Sequence, residues 1–263
     1  MKIAIIGGGN MGGAIAKGIA AGSLVPAANL TVTAHTQKTL DKIKGYDAAI
    51  TTTLDNRSAV KDADLIIIAV KPWLLEEVVV GFRDLLDYSR QTIASVVAGV
   101  SFEQLKSMLD NGSGVVPVMY RIIPNTAISL GESVTFIAAE GASDDQLNFV
   151  VSLFDELGQT IVVDESMMVA GTSLASCGIA FALKYLDASI QGGVELGFTP
   201  EESRAIVMQT MRGALEMMKH NQTMPQTEID KVTTPGGITL KGLAAMEEAG
   251  FVPAVKAGLF KSR

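Results

Sequence analysis

The sequence predicts an α/β fold in which an N-terminal doubly wound domain is followed by an all-α domain. Three observations support this prediction. Short apolar runs alternate with amphipathic segments through the first half of the chain, a glycine cluster directly follows the first run, and only helical periodicity continues after residue 164. Strands that alternate with helices through right-handed crossovers form a doubly wound parallel sheet. The chain is therefore divided into domains at residues 1–164 and 165–263.

Five apolar runs are predicted to be strands of one parallel sheet, because strands with helices on both faces are short and apolar throughout. Each run has four to nine residues, and most are rich in Val and Ile. The predicted strands are 3–6, 30–33, 65–70, 92–97 and 115–123. Pro117 cannot donate a ladder hydrogen bond, so the fifth strand is expected to begin later or to leave its N–H side free. Segments 134–138 and 161–163 would extend the sheet.

The segments between these runs are predicted to be helices at 10–21, 37–45, 73–87, 101–110 and 143–157. In the second half, helical spacing of apolar residues continues to Leu196, and a Thr-Pro-Glu-Glu sequence then gives the cap and first turn of another helix. The helices predicted there are 165–196, 199–220, 238–248 and 251–260, with a polar, turn-rich segment at 221–234.

The long helix predicted at 165–196 is apolar on nearly every face, so it must be buried. The helical domain offers few other helices to surround it. Two interpretations remain open: the helix lies at the centre of its own bundle, or it is buried in a dimer.

Composition excludes several classes of function. The chain has 263 residues, 21 Lys and Arg against 28 Asp and Glu, and a formal net charge of −7, which argues against nucleic-acid and anionic-membrane partners. One Cys cannot form an internal disulfide, and one Cys with two His is too few for a dedicated zinc site, so no metal is predicted. No run of 18 apolar residues suggests a membrane span. The protein is expected to be soluble and cytoplasmic.

The glycine cluster Gly7-Gly8-Gly9-Asn10-Met11-Gly12 matches the pattern G-x-G-x-x-G. The pattern alone is weak, but here it follows a predicted strand and opens a predicted helix, which is the context of a dinucleotide-binding turn. The first glycine allows the tight turn, the second lets the backbone approach a pyrophosphate, and the third allows close helix–strand packing. The motif therefore predicts a Rossmann-type domain that binds NAD or NADP.

The end of the second strand bears on the choice between these cofactors. An acidic residue there would hold the adenosine ribose hydroxyls of NAD, but residues 33–38 read Thr-Ala-His-Thr-Gln-Lys and contain no carboxylate. His35, Thr36 and Lys38 could donate to a 2′-phosphate. NADPH is therefore the predicted cofactor, with NADH as an alternative. In the other interpretation, these side chains are simply solvated.

The catalytic motifs of several other enzyme classes are absent. The chain contains no Tyr-x-x-x-Lys, no G-x-S-x-G and no G-x-x-x-x-G-K-[ST] sequence. His220 lies at a helix end, where a cation is favoured in any case, so no His is placed as a general acid. The expected reaction needs little proton transfer from the protein, and reduction of an already protonated imine meets that condition.

The remaining candidate loops follow predicted strands, because ligands bind beyond the carboxyl ends of such strands. These loops are 69–72, 97–100 and 123–126. In the helical domain, the sequence Thr-Thr-Pro-Gly-Gly-Ile-Thr at 233–239 puts two glycines before a helix, an amide-rich arrangement suited to a carboxylate. The alternative for that segment is an ordinary helix cap.

Together these motifs resemble those of the delta-1-pyrroline-5-carboxylate reductase family, which acts in proline biosynthesis. The likeness covers essentially the whole chain. The matching segments are 6–14, 56, 63–64, 69–72, 98–100, 124–126, 192–197 and, most specifically, 232–239. The resemblance implies a Rossmann domain, a helical domain that interlocks with a partner's to form a homodimer or a ring of dimers, and a site drawn from both domains. It also implies hydride transfer from NAD(P)H to C5 of the cyclic imine, which gives L-proline.

The resemblance also implies roles for individual residues. Thr239 would hydrogen-bond the ring nitrogen, and the substrate would further contact Asn125, Thr234, Gly236 and Gly237. The expected cofactor contacts are Gly7, Gly9, Asn10, Met11, Gly12, His35, Thr36, Lys38, Asn56, Ala69, Val70, Lys71, Pro72, Ala98 and Gly99.

The chain departs from the family pattern at two places. Ile123 stands where the family usually has Met, and residues 175–181 read Ala-Ser-Cys-Gly-Ile-Ala-Phe instead of Ser-Gly-Ser-Gly-Pro-Ala-Tyr. Without the Pro, the long helix is expected to be less kinked. Two other hypotheses stay open: another imine or β-hydroxyacid reductase of the same superfamily, and a non-catalytic NADP-binding regulator. Lys184 lies too far into its helix for the hydroxyacid enzymes, and a regulator has no need of the 235–239 segment.

Overall fold

The structure is a computed structural model that describes all residues from Met1 to Arg263. The chain packs into two compact units, Met1–Ser176 and Cys177–Arg263. The segment between the predicted boundary at residue 164 and Ser176 therefore packs with the first unit. The boundary at 164 stays a prediction about where the functional domains divide.

One eight-stranded sheet organises the first unit. Its order is β3-β2-β1-β4-β5-β6-β7-β8, with all neighbours parallel except β6 and β7. The strands are β1 Ile3–Ile6, β2 Leu30–Thr33, β3 Thr51–Thr53, β4 Leu65–Ile68, β5 Thr92–Ser95, β6 Val118–Ile123, β7 Ser133–Glu140 and β8 Gly158–Val162. The order 3-2-1-4-5-6 is that of a doubly wound dinucleotide-binding sheet, so the predicted fold class is confirmed.

Seven helices accompany the sheet. They are α1 Asn10–Ala21, α2 Gln37–Tyr46, α3 Asn56–Val60, α4 Leu75–Val80, α5 Phe102–Leu109, α6 Asp144–Asp155 and α7 Met168–Gly171. Two hydrophobic clusters fill the two faces of the sheet. In β1, Ile3 and Ile5 belong to one cluster while Ala4 and Ile6 belong to the other. All four are essentially inaccessible to solvent, which is why this strand is apolar at every position.

Several predicted elements differ from the observed ones. β6 begins at Val118, immediately after Pro117, as the missing N–H required. Strands β4 and β5 each end two residues before the predicted end, because the chain leaves the sheet there to form loops. The helix predicted at 73–87 is a 3-10 turn, the short α4 and a second 3-10 turn, with Gly81 after α4.

The second unit consists of α8 Gly178–Glu195, α9 Pro200–Asn221, α10 Pro225–Val232, α11 Ile238–Glu248 and α12 Phe251–Lys261. Only Ser203 and Glu228 are buried in it, and both are polar. Large apolar side chains such as Leu183, Leu196 and Phe260 are exposed by more than half. Because the single chain gives this unit no buried apolar core, the interpretation of α8 as the centre of its own bundle is wrong.

The long helix predicted at 165–196 is interrupted. A 3-10 turn at Glu165–Met167 and the short α7 lead into a π-helical segment at Thr172–Cys177, and α8 follows. The helix is therefore irregular even without the family's proline, since a π segment breaks the i→i−4 hydrogen-bond pattern. The stretch Glu165–Glu195 is also long and apolar enough to cross a membrane by length and composition alone. The absence of a membrane partner accordingly stays a prediction.

Candidate active site

The loops that follow β1, β2, β4 and β5 emerge side by side at one edge of the sheet. Ile6 at the end of β1 pairs with Thr33 on one side and with Ile68 on the other, and Ile68 pairs with Ser95. β1 and β4 are neighbours although β2 and β3 lie between them in sequence, so the strand order reverses there. Nucleotides bind at this kind of switch point.

The glycine turn after β1 has no room for larger residues at two positions. Gly7 has φ +104°, and a Cβ atom on it would lie 2.8 Å from the Ala69 carbonyl oxygen. A Cβ atom on Gly12 would lie 2.1 Å from the Gly7 carbonyl oxygen. The amides of Gly7 and Gly8 both donate to the Thr33 carbonyl, at 3.2 and 2.5 Å. These contacts bring the turn, β2 and the loop after β4 together.

Gly9 differs from its neighbours because a Cβ atom on it would meet nothing within 4 Å. It is the N-cap of α1, makes no side-chain cap and is followed by a first turn without acidic residues. The first amide that donates back along the helix is that of Gly13, to the Gly9 carbonyl at 2.7 Å. The amides of Asn10, Met11 and Gly12 thus have no intrahelical partner, and an anion can approach them without displacing a side chain.

The segment after β2 is open to solvent. His35, Thr36 and Lys38 are all exposed. The Thr36 hydroxyl caps α2 by accepting from the Thr39 amide at 3.4 Å, so one of its lone pairs is used within the chain. The next carboxylate along the chain, Asp41, accepts from the Gln37 side chain at 2.8 Å. The structure therefore leaves His35 and Lys38 as the freer donors of this segment.

Asn56 begins the five-residue helix α3, which β3 precedes. Asp55 caps this helix by accepting from the Arg57 amide at 2.9 Å. The Arg57 guanidinium binds both carboxylate oxygens of Asp84, at 2.8 and 2.9 Å, and the Gly81 carbonyl at 2.7 Å. The hydrogen bonds from Arg57, together with its positive charge, lower the pKa of Asp84 below the usual range. Arg57 thus connects α3 with residues 81–84, which follow α4, and the sequence alone did not predict this contact.

The loops after β4 and β5 are largely open to solvent. The Ala69 amide donates to the Ile6 carbonyl at 2.8 Å, while Val70 is partly exposed and Lys71 and Pro72 are exposed. Ala98 is exposed, and Gly99 has φ +79° with open space where a side chain would be. These residues line the same edge of the sheet as the glycine turn.

Asn125 follows β6 and is only 6% exposed. The backbone N–H of Asn125 donates to the Ser133 hydroxyl at 3.1 Å, and its side-chain Oδ1 accepts from the backbone N–H of Ala127 at 3.0 Å. The side-chain oxygen therefore caps the 3-10 turn that follows. The Nδ2 group has no hydrogen bond within the chain that would compete with a substrate contact, and the sequence did not reveal this division of roles.

The segment 233–239 of the second unit forms a tight turn before α11. Gly236 has φ +73°, and the Gly237 amide donates to the Thr234 carbonyl at 2.8 Å. A Cβ atom on Gly237 would lie 2.7 Å from the Thr234 hydroxyl, so this hydroxyl lies against the glycine. Thr234, Gly236 and Gly237 thus lie in one short turn, and Thr239 lies in the first turn of the helix that follows.

The start of α11 is uncapped and free of negative charge. Its N-cap is Gly237, which has no side chain to cap with, and no acidic residue lies in the first turn. Thr239 is exposed and lies within the helix, so its hydroxyl is not the cap. The first amides of α11 and the Thr239 hydroxyl together offer donors for a carboxylate and a neighbouring polar atom. No group of three or more His, Cys, Asp or Glu side chains converges anywhere in the structure.

Two family models match the chain. Residues 2–99 match a model described as NADP oxidoreductase, coenzyme F420-dependent, and residues 165–262 match one described as pyrroline-5-carboxylate reductase dimerisation. Pyrroline-5-carboxylate reductase 2 of Dictyostelium discoideum is 32% identical, over 99% of this chain and 90% of that protein. Pyrroline-5-carboxylate reductase 1 of the same organism is 36% identical, but this chain spans only 48% of its length.

A solved structure agrees with these relatives. The crystal structure of Plasmodium falciparum pyrroline carboxylate reductase with NADP bound has a TM-score of 0.88 and 25% sequence identity, over 100% of this chain and 95% of that one. The similarity extends over both units of the chain.

Proposed function

The chain belongs to the pyrroline-5-carboxylate reductase family, and on that premise we propose which of its residues bind and orient the reactants. The protein is an NAD(P)H-dependent oxidoreductase that reduces the C5 imine carbon of 1-pyrroline-5-carboxylate to give L-proline. The uncapped start of α11 beside the Thr234–Gly237 turn is the observation that best supports the assignment of residues.

The glycine turn fits a dinucleotide. Gly9 leaves open space and the first amides of α1 lack partners, so Gly7, Gly9, Asn10, Met11 and Gly12 would hold the pyrophosphate. When bound, the reduced nicotinamide supplies the hydride. Asn56, the 69–72 loop, Ala98 and Gly99 would contact the rest of the cofactor, because they surround the same edge of the sheet.

We propose NADPH as the preferred cofactor. Ala34 follows β2 directly, and no acidic side chain occupies residues 34–38 to repel a 2′-phosphate. His35 and Lys38 are exposed donors, and the exposed Thr36 hydroxyl, which shares a 3.0 Å hydrogen bond with the Thr39 hydroxyl, is a further candidate. The segment has no Arg, so a modest preference is expected.

The substrate carboxylate is proposed to bind the amides around Gly236 and Gly237. The Thr239 hydroxyl, one helical position beyond Ile238, would accept from the ring N–H of the protonated imine. Addition of hydride to C5 turns the C=N bond into a single bond and leaves a neutral amine at nitrogen, so the substrate requires no proton from the protein in this step. A hydroxyl is too weak an acid to serve as a strong proton donor, and Thr239 is therefore assigned orientation and hydrogen bonding. The amide Nδ2 of Asn125 is a further candidate contact.

We propose that the protein forms a homodimer or a larger ring of such dimers. The second unit buries no apolar side chain within one chain, and the family model for dimerisation covers all of this unit except its last residue. The net charge of −7 supports the proposal that the protein has no nucleic-acid partner. We also propose that it is cytoplasmic and makes no membrane contact.

The test is NADPH oxidation with pyrroline-5-carboxylate beside a small panel of 2-oxo and 3-oxo acids. Turnover of the cyclic imine with little turnover of the panel is expected. Faster turnover of a 3-oxo acid would favour a β-hydroxyacid dehydrogenase instead. Binding of NADPH without turnover of any compound would favour the regulator.

A further inference from the structure

The second unit holds one buried charged side chain, Glu228 on α10. Its Oε1 accepts from the Thr223 hydroxyl at 2.5 Å, from Lys231 Nζ at 2.8 Å and from Asn221 Nδ2 at 3.1 Å. We call Asn221, Thr223, Glu228 and Lys231 the Glu228 hub. No part of the hub belongs to the proposed substrate contacts, and the sequence had indicated only a polar, turn-rich segment there.

The burial of this carboxylate is unusual for its surroundings. Glu228 is 8% exposed in a unit whose only other buried residue is Ser203. Its second oxygen, Oε2, is buried and has no hydrogen-bond partner. Hydrogen bonds from Lys231, Thr223 and Asn221 lower the pKa of Glu228 to about 2. The group is therefore ionised at every ordinary pH, and a buried charge needs the donors that the hub provides.

The hub joins the end of α9 to α10, because Asn221 on α9 donates to Glu228 on α10. Asn221 is the last residue of α9, and Thr223 follows Gln222, which has the left-handed φ of 52°. The helix α10 is eight residues long, and its N-cap, Met224, makes no side-chain cap. A helix this short is unstable alone, so its place depends on what its side chains contact. Glu228 supplies that contact by accepting from Asn221 at the end of α9, and Lys231, on the same helix α10, pairs with Glu228.

The position of α10 determines where the proposed substrate loop begins. Val232 is the last residue of α10, and Thr233 directly follows it. The Thr233 hydroxyl donates to the Asp230 carbonyl at 3.2 Å, which ties the start of the loop to the last turn of the helix. Gly237 then closes the turn onto the Thr234 carbonyl at 2.8 Å. A shift of α10 would therefore carry the loop amides with it.

We propose that Glu228 is a positioning residue for substrate binding, which holds α10 against the end of α9 and so pre-orders the 233–239 loop. This inference rests on the proposed role of that loop. A loop that is ordered before binding loses less conformational freedom when the substrate carboxylate arrives. Loosening the hub should therefore raise the KM for pyrroline-5-carboxylate. It should leave the binding of NADPH, which is assigned to the first unit, unchanged.

Three variants of the full-length protein test the inference. Glu228→Gln keeps the shape of the side chain but removes the charge that pairs with Lys231, and roughly a 10-fold rise in KM is expected, as for loss of about one charge-assisted hydrogen bond. Lys231→Met should raise KM in the same direction, and Lys231→Arg should stay closer to the unmodified protein. Glu216→Gln, an exposed carboxylate on α9 without a hydrogen bond of its own, is the matched control.

The readouts are KM and kcat for pyrroline-5-carboxylate, the NADPH Kd from nucleotide fluorescence, and the oligomeric state. The inference is supported if KM rises, if kcat and the NADPH Kd stay within about twofold of the unmodified values, and if the oligomeric state is the same. An unchanged KM in both Glu228→Gln and Lys231→Met overturns it. So does a parallel loss of kcat, NADPH binding and assembly in both variants, because that pattern indicates a general folding role.

A parallel Thr239→Ala variant separates this inference from the proposed function. If Thr239→Ala keeps the unmodified kcat/KM, the assignment of the loop itself fails, and the inference fails with it. If Thr239→Ala loses activity while the KM of Glu228→Gln is unchanged, the loop keeps its role and only the positioning by Glu228 is refuted.

Discussion

Replacing Thr239 by Ala tests the chemistry of the substrate loop most directly. The side chain is exposed and lies beyond the N-cap Gly237, so its hydroxyl caps nothing. Alanine is also a better helix former than threonine. The substitution should consequently leave the unfolding temperature close to its original value. Any loss of activity can then be attributed to the missing hydroxyl.

The expected magnitude follows from the charge on the substrate. A hydrogen bond to a charged group contributes roughly 1.5–3 kcal/mol, and each 1.36 kcal/mol is a factor of ten in rate. Thr239→Ala should therefore lower kcat/KM for pyrroline-5-carboxylate by roughly 10- to 150-fold. Thr239→Ser keeps the oxygen and should retain most of the activity. The NADPH Kd should hardly change in either variant, because the cofactor residues lie in the other unit.

The assay is initial-rate NADPH oxidation over a range of imine concentrations, with Thr210→Ala as the control for an exposed helical threonine. The reasoning is refuted if Thr239→Ala keeps the original kcat/KM. It is equally refuted if Thr239→Ser is as damaging as Thr239→Ala, since the oxygen would then have no role.

Three further predictions concern the cofactor and the assembly. Ala34→Asp should increase kcat/KM with NADH relative to kcat/KM with NADPH, because a carboxylate repels the 2′-phosphate. Equal kcat/KM with both cofactors in the unmodified protein would contradict the proposed preference for NADPH. Gly9→Ala should keep the fold but raise the KM for NADPH. Gly12→Ala should raise this KM and also lower the unfolding temperature, because only a Cβ atom on Gly12 would meet backbone, at 2.1 Å. Comparable melting curves for the two variants would count against this distinction. Ala180→Lys, on the exposed surface of α8, should lower solubility or cause unfolding, seen as aggregate in light scattering, and an unperturbed dimer would show that this face meets no partner.

Elements with strong local signals could be predicted from the sequence. β1, β2 and α1 begin and end where their apolar pattern and the glycine motif indicated. β3 could not be predicted because it is three partly exposed threonines with no apolar run. The helix α10 was missed for a related reason: what stabilises it is the polar Glu228 hub, and polar residues at 221–234 read locally as a turn.

In the candidate site, too, some features could be predicted from the sequence and others could not. The rule that ligands bind beyond the carboxyl ends of parallel strands was enough to bring the loops at 7–12, 69–72 and 98–99 to one edge of the sheet. Which atoms of these residues are free could not be predicted, because that depends on partners distant in sequence. The Asn125 oxygen is used by the 3-10 turn, and Arg57 reaches Asp84 across 27 residues.

The two halves of the proposed machinery are stabilised by different forces. The glycine turn is fixed by close backbone contacts above a sheet with apolar clusters on both faces, so its geometry follows from the folding of one chain. The 233–239 loop belongs to a unit in which only Ser203 and Glu228 are buried. Hydrophobic burial within the chain cannot order that loop, which leaves polar contacts and self-association to do so. The exposed apolar surface of the helical unit thus has a consequence for catalysis, because a partner subunit that covers it would also steady the helices from which the substrate loop extends.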